Sequence, residues 1–266
     1  MQAVILAAGA GRRLGEVGLA RPKATLPVCG RSMVERILDS LLPAAPSEVV
    51  VVIREPDDQV AARCQAWGSL PVKFAVQPER LGMANALACA APLLQGPFLL
   101  SACDSLVEAE FVAELVARHR ELRADATLAL KRVADRAALS RTGVVAWDGC
   151  WVSQIVEKPR PEEAPSDMGS LPLYLFEPTV LPLLSEVQPS RRGEYELQDA
   201  ISLLIERGRV AGCETATRWQ ITDQADLIAI NRRFLERGET SPARGPRQVE
   251  PVYVDPAAAV AGDARL

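Results

Sequence analysis

The chain has 266 residues, of which 48% are hydrophobic and 24% charged, with a formal net charge of -4. That apolar content supports one large α/β core and excludes a disordered chain, while the mild acidity argues against nucleic-acid binding. No apolar run approaches the roughly 18 to 20 residues of a membrane span, and the opening Met1-Gln2-Ala3-Val4 lacks the basic region of a signal peptide. A cytoplasmic protein with no membrane partner is therefore expected.

In chain order, Ala3 to Ala8 is a continuous apolar run ending in a Gly-rich stretch, as a buried parallel strand would. From Ser32 the period changes. Met33, Val34, Ile37, Leu38, Leu41 and Leu42 share a helical face that Ser32 is placed to cap. Glu48 to Arg54 encloses a second buried strand, and Asp57 is placed to cap a helix running to Trp67. Lys73 to Gln77 reads as a third strand, Met83 to Leu94 as a helix and Phe98 to Ala102 as a fourth strand. Strands and helices alternating at this spacing predict right-handed βαβ units, a doubly wound and mainly parallel sheet.

After a helix over Glu108 to Leu122 the rhythm becomes mixed. Thr127 to Val133, Gly143 to Trp147, Trp151 to Val156 and Leu173 to Phe176 read as strands, followed by helices over Val180–Val187 and Glu196–Arg207. Short strands at Val210–Cys213 and Arg218–Ile221 precede a closing helix, Gln224 to Arg237. These elements read as a smaller insert covering one end of the sheet. The division expected is a domain over 1–237, a linker over 238–251 rich in Pro, Gly and charge, and a tail over 252–266. In the tail Val254, Val260 and Leu266 recur every six residues. That spacing is similar to the start of a hexapeptide left-handed β-helix, and equally a tail of alternating small residues.

A single histidine, His119, makes triads and multi-His metal sites improbable. Six scattered cysteines without a C-x-x-C pair read as small buried apolar residues. Of 30 basic residues only Lys23, Lys73, Lys131 and Lys158 are lysines, and two of these, Lys23 and Lys158, stand in Pro-bounded motifs where a compact ammonium suits the site. Leu6-Ala-Ala8-Gly9-Ala-Gly11-Arg12-Arg13-Leu14 follows the first strand. Its glycines let backbone N–H groups approach phosphate oxygens, but the spacing is neither a dinucleotide fingerprint nor a Walker A loop.

With Arg21-Pro22-Lys23-Ala-Thr25-Leu26-Pro27-Val28 at a fixed distance, this stretch resembles the signature of the sugar-phosphate nucleotidyltransferase (NDP-sugar pyrophosphorylase) family. The match is ungapped from Leu6 to Val28, with departures at Arg12, Glu16, Gly18 and Thr25. The resemblance implies a Rossmann-like nucleotidyltransferase sheet with a sugar-binding insert, acting on an NTP and a sugar 1-phosphate. It implies that Leu6, Ala8, Gly9 and Gly11 line the nucleotide, that Arg13 and Lys23 face the triphosphate, and that Gln77 and Gly82 meet the base. Asp104, in Ser101-Ala-Cys-Asp104, would bind Mg²⁺. Gly143, Glu157, Lys158 and Tyr174 would form the sugar-phosphate side, with Pro172 standing where a Gly is usual. Gly193-Glu194-Tyr195-Glu196-Leu197-Gln198-Asp199-Ala200 resembles the family's G-E-x-x-L-T-D-A helix start.

The second metal ligand falls in Trp219-Gln-Ile-Thr222-Asp223-Gln-Ala-Asp226-Leu227, one residue short of the family pattern. Asp223 is chosen over Thr222, because a carboxylate suits a hard cation. Catalysis would then be in-line attack of the sugar phosphate on the α-phosphorus, with Arg13, Lys23 and Lys158 positioning and neutralising charge. The pair expected first is dTTP or UTP with glucose 1-phosphate. Mannose 1-phosphate, N-acetylglucosamine 1-phosphate or phosphocholine as acceptor, a catalytically silent sugar-nucleotide-binding subunit, and homo-oligomerisation all stay open.

Overall fold

The computed structural model describes residues 1–9, 21–54, 58–240, 251–256 and 258. Gly11, Arg12, Arg13 and the Asp57 helix cap therefore lie outside the described residues, as does most of the 252–266 tail. In chain order the elements are β1 (Gln2–Leu6), β2 (Pro27–Val28), β3 (Arg31–Ser32), α1 (Met33–Leu41), β4 (Val49–Ile53), α2 (Asp58–Trp67), β5 (Val72–Val76), α3 (Met83–Ala90), β6 (Phe98–Ala102), β7 (Ser105–Leu106) and α4 (Ala109–Leu122). There follow β8 (Ala126–Arg132), β9 (Gly143–Trp147), β10 (Val152–Glu157), β11 (Met168–Phe176), α5 (Val180–Leu183), α6 (Leu197–Arg207), β12 (Val210–Glu214), β13 (Trp219–Gln220) and α7 (Gln224–Glu236).

β5, β4, β1 and β6 pair in parallel, and β11 closes against β6 in the opposite direction. The side chains of the parallel strands alternate between two cores, as a period of two requires. Ala3, Ile5, Val49 and Val51 pack with α1, α2 and α4. Val4, Leu6, Val50 and Val52 pack with α3 and α6. Burial on both faces is why β1 and β4 read as unbroken apolar runs. The doubly wound, mostly parallel sheet is therefore as expected.

The mixed part is joined to this sheet by backbone ladders. β8 runs beside the full length of β11 and carries β12 in parallel at its outer edge. On its other edge β11 changes partner: residues 173–176 pair with β6, and residues 168–170 pair with β9. Leu171 and Pro172 occupy the changeover, where the register against β8 also shifts. Proline has no N–H for a ladder, so a strand interior tolerates it best at such an interruption. The consequence is functional: β9 and its antiparallel partner β10 stand beyond the carboxyl end of β6, with Gly143 about 10 Å further along β11 than Ser101 at a strand rise of about 3.3 Å per residue.

Ser32 caps α1 in a reciprocal capping box with Glu35, so the predicted start of that helix is correct for the predicted reason. The hairpin between β2 and β3 is absent from the sequence reading. Its two turn residues, Cys29 and Gly30, both have positive φ, at 43° and 76°, the geometry of a type I′ turn. Tyr253 lies over Gly30, where an added Cβ would fall 1.8 Å from its hydroxyl. The described part of the tail is thus seated on the domain, and Arg36, stacked on Phe234, grips Glu239 with both terminal nitrogens. No helix among the described residues is long and apolar enough to cross a membrane.

His119 is buried in α4, with Nδ1 2.9 Å from Thr127 Oγ1 and Nε2 3.4 Å from Glu177 Oε1. Its role is structural. Burial pulls its pKa below the ordinary histidine value, against the opposing pull of Glu177. A depressed folded pKa means that the unfolded chain takes up the proton first. The contribution of His119 is therefore complete above about pH 6.5 and lost as the pH falls from there through the folded pKa. Melting temperatures measured between pH 7.5 and 5 should fall for the wild type and fall less steeply for His119→Asn. Equal slopes would remove His119 as the cause.

Candidate active site

The parallel strands deliver their functional residues to one carboxyl edge, where open α/β sheets bind ligands. β1 is followed by Ala7, Ala8 and exposed Gly9, β5 by Gln77, and β6 by Cys103 and Asp104. Leu6 and Ala8 are 8% and 5% exposed, so only their backbone can meet a ligand, and the Ala8 carbonyl accepts a hydrogen bond from Arg80 Nε at 3.0 Å.

Lys23 sits in a single 3₁₀ turn (Lys23–Thr25) fixed by its flanking prolines. Its ammonium donates to Asp104 Oδ2 at 2.6 Å, with side-chain exposures of 10% and 22%. The two predicted residues, 81 positions apart, therefore meet in a half-buried ion pair at the end of β6.

Gln77 is buried, its Nε2 donating to the Gly82 carbonyl at 3.0 Å and to Asn85 Oδ1 at 2.9 Å. Gly82 has φ +100°, and a Cβ there would fall 2.5 Å from the Tyr195 carbonyl oxygen. The Gly82 position is glycine for both reasons. The Tyr195 N–H donates to the Leu81 carbonyl at 2.6 Å and its own carbonyl accepts from Ala84 at 3.0 Å. Two motifs separate in sequence, Gln77–Gly82 and Gly193–Ala200, are thereby clamped backbone to backbone.

On the opposite wall, Gly143 pairs with Glu157 across β9 and β10, and a Cβ at Gly143 would fall 3.3 Å from Glu157 Oε2. Glu157 Oε1 pairs with the Lys158 ammonium at 2.9 Å, with Arg192 at 3.5 Å, while the buried Oε2 has no hydrogen-bond partner among the described residues. A buried carboxylate oxygen left open in this way is an acceptor ready for a hydroxyl donor. Lys158 has φ +46° although it precedes a proline, held there by its N–H to the Thr142 carbonyl at 3.1 Å. Such a conformation costs a residue with a Cβ about 1–3 kcal/mol, and it turns the Lys158 ammonium back over Glu157.

Two further predicted residues are engaged by the protein itself. Tyr174 is 1% exposed, in the core with Phe98 and Phe176, its hydroxyl 3.4 Å from Ser170 Oγ and its pKa pushed by burial to about 12. It points into the core face of β11, with its hydroxyl beneath Glu157 and Gln198. Asp223 is exposed and caps α7, accepting from the Asp226 N–H at 3.1 Å while Asp226 answers in a capping box. A carboxylate at that position serves the helix N-terminus.

Among the described residues no group of three His, Cys, Asp or Glu side chains is arranged for a metal ion. A divalent cation of the Mg²⁺ type needs only one or two carboxylates when substrate phosphates and water complete its shell. Asp104 fits a cation that arrives with a triphosphate. Sequence reasoning missed three contributors: Arg80 on the Gly-rich turn, Arg192 beside Glu157, and Arg218, whose Nε donates to Ser105 Oγ at 3.0 Å. Only Arg192 had a local signal, standing directly before the Gly193 motif.

A Gly-rich strand end, a Lys–Asp pair and a polar acceptor wall on one sheet edge define a phosphate-handling, nucleotide-binding α/β protein. The nucleotidyl transferase family model matches residues 2–234, and the chain belongs to that family. It is 34% identical to the UTP–glucose-1-phosphate uridylyltransferase AglF of Haloferax volcanii, over 83% of this chain and 90% of that one. Identity with the glucose-1-phosphate thymidylyltransferase of Streptomyces griseus is 28%, covering 90% and 67% of the two chains. The bifunctional protein GlmU of Methanococcus maripaludis is 29% identical over 89% of this chain, which spans 55% of that relative's length. In fold the chain is similar to a UDP-glucose pyrophosphorylase complexed with UDP-glucose, at a TM-score of 0.79 and 18% identity, over 89% and 98% of the two chains.

Proposed function

We propose that this chain transfers the nucleotidyl group of an NTP to a sugar 1-phosphate, giving an NDP-sugar and pyrophosphate, with dTTP or UTP and glucose 1-phosphate as the favoured pair. The observation that carries the reading is the Lys23–Asp104 ion pair at the carboxyl edge of β6, beneath the Glu157–Lys158 wall carried by β10. The names of the relatives in Haloferax and Streptomyces support the substrate class.

An acceptor phosphate oxygen attacks the α-phosphorus in line and pyrophosphate leaves, so no protein nucleophile and no strong base is required. The residues act by position and charge. Without nucleotide, Lys23 and Asp104 neutralise each other. When a triphosphate enters, Lys23 exchanges the carboxylate for phosphate oxygens, and Asp104 becomes the residue that would hold Mg²⁺. Such a cation, when bound, supplies charge neutralisation for the leaving pyrophosphate. Arg13 and Gly11 are assigned to the triphosphate from their place in the motif. Gln77 and Gly82 hold the base-side loop, and Glu157 Oε2 accepts from the acceptor's hydroxyls while Lys158 meets its phosphate.

A matrix of the common NTPs against glucose, mannose and N-acetylglucosamine 1-phosphates, scored by pyrophosphate release with Mg²⁺ and with a chelator, tests the reading. Fastest release is expected with dTTP or UTP and glucose 1-phosphate, and loss with the chelator. Intact nucleotide binding with no release from any pair would identify a silent sugar-nucleotide-binding protein instead.

A further inference from the structure

Beside the site, a cavity of about 360 Å³ opens between the ends of β8 and β11 and the start of α7. Its wall includes Arg218, Lys131, Thr142, Gln220 and Thr222, and includes none of Lys23, Asp104, Glu157 or Lys158. Arg218 stands just before β13, half-buried, and burial pulls its pKa below the ordinary arginine value against the opposing pull of Asp104 and Asp226. Its Nε is held by Ser105 Oγ, but among the described residues its terminal nitrogens have no hydrogen-bond partner and it forms no ion pair.

Lys131 likewise has no ion pair among the described residues. The other charged groups on the cavity are already engaged. Arg132 is held by both carboxylate oxygens of Asp167, at 2.6 and 2.7 Å, and Asp226 Oδ2 accepts the N–H groups of Thr222 and Asp223 at 2.6 and 3.2 Å.

Asp104 and Asp226 attract this guanidinium without a hydrogen bond to it among the described residues, so its terminal nitrogens are left open toward the cavity. The planar fork matches a phosphate or carboxylate, and a second cation at Lys131 favours the dianion. We propose that this cavity is a second anion site, distinct from the acceptor end at Glu157 and Lys158, and that it takes a small phosphate-bearing molecule. The site is continuous with the catalytic edge: β13 pairs with β7, and the Ile221 N–H donates to the Asp104 carbonyl at 3.0 Å. Occupancy therefore bears on the strand end that carries Asp104.

The test reads binding, so it is independent of the transfer reaction. Inorganic phosphate is titrated at constant ionic strength and followed by tryptophan fluorescence, with Trp219→Phe assigning the signal to the indole beside Arg218. The wild type should show a saturable change that Trp219→Phe lacks. Arg218→Gln and Lys131→Gln should each raise the half-saturating concentration roughly tenfold, the scale of one charge-assisted hydrogen bond. Lys158→Ala should leave it within about twofold. Lys131 has no partner to lose, so its variant keeps the test open should Arg218→Gln fold poorly in melting curves. A wild type without a saturable signal, unchanged binding in a folded Arg218→Gln or in Lys131→Gln, or a Lys158→Ala as weak as Arg218→Gln overturns the proposal.

Discussion

Replacing Lys23 with Ala is expected to lower kcat/KM for nucleotidyl transfer roughly 10²–10³-fold, the effect of removing one preorganised charge contact worth about 3–4 kcal/mol at the reacting centre. The fold should survive. Asp104, left without its partner, keeps 22% side-chain exposure and can be solvated. Asp104→Asn should lose activity on a similar scale but melt lower, because it strands an ammonium that is only 10% exposed. The double variant should cost less than the sum of the single ones, since both remove the same contact. Steady-state kinetics with melting curves on all three decide the matter. Wild-type turnover in Lys23→Ala would end the assignment of the triphosphate site.

Gly82→Ala should have the next largest effect, and on two observables together. At φ +100° a Cβ is strained, and it would fall 2.5 Å from the Tyr195 carbonyl oxygen, a backbone atom that cannot rotate away. The expected destabilisation is about 2 kcal/mol or more, which for a chain of this size lowers Tm by roughly 4–8 °C. The same displacement breaks the clamp between the Gln77 loop and the Gly193 segment, so nucleotide affinity should weaken about tenfold. Calorimetry and nucleotide titration check both. A Gly82→Ala variant that melts and binds like the wild type would show that the close approach is not required.

The legible part of the molecule was local. Apolar runs of five or six residues marked β1, β4 and β6 because both of their faces are buried, and Ser32 marked a helix start because a cap acts within three residues. The motifs at Gln77, Asp104 and Glu157 were legible as chemistry at the ends of predicted strands, and that at Lys23 by its flanking prolines. Their partners were not. Tyr174 read as a ligand, and only the structure shows its ring packed on Phe176 in the core face of the strand. Asp223 read as a metal ligand, and the structure shows that its carboxylate also caps the N-terminus of α7.

By itself the sequence determined the alternation of strands and helices, the doubly wound core and the order in which phosphate-handling residues occur. Those depend on side-chain period and on interactions a few residues apart, which any window of the chain contains. Only the tertiary structure decided that β9 and β10 stand over the end of β6, that Lys23 meets Asp104 across 81 residues, and that Arg218 reaches Ser105 across 113. Such pairs are set by sheet register and by the change of partner along β11, where a one-residue slip would turn every side chain to the other face. No local pattern carries that information.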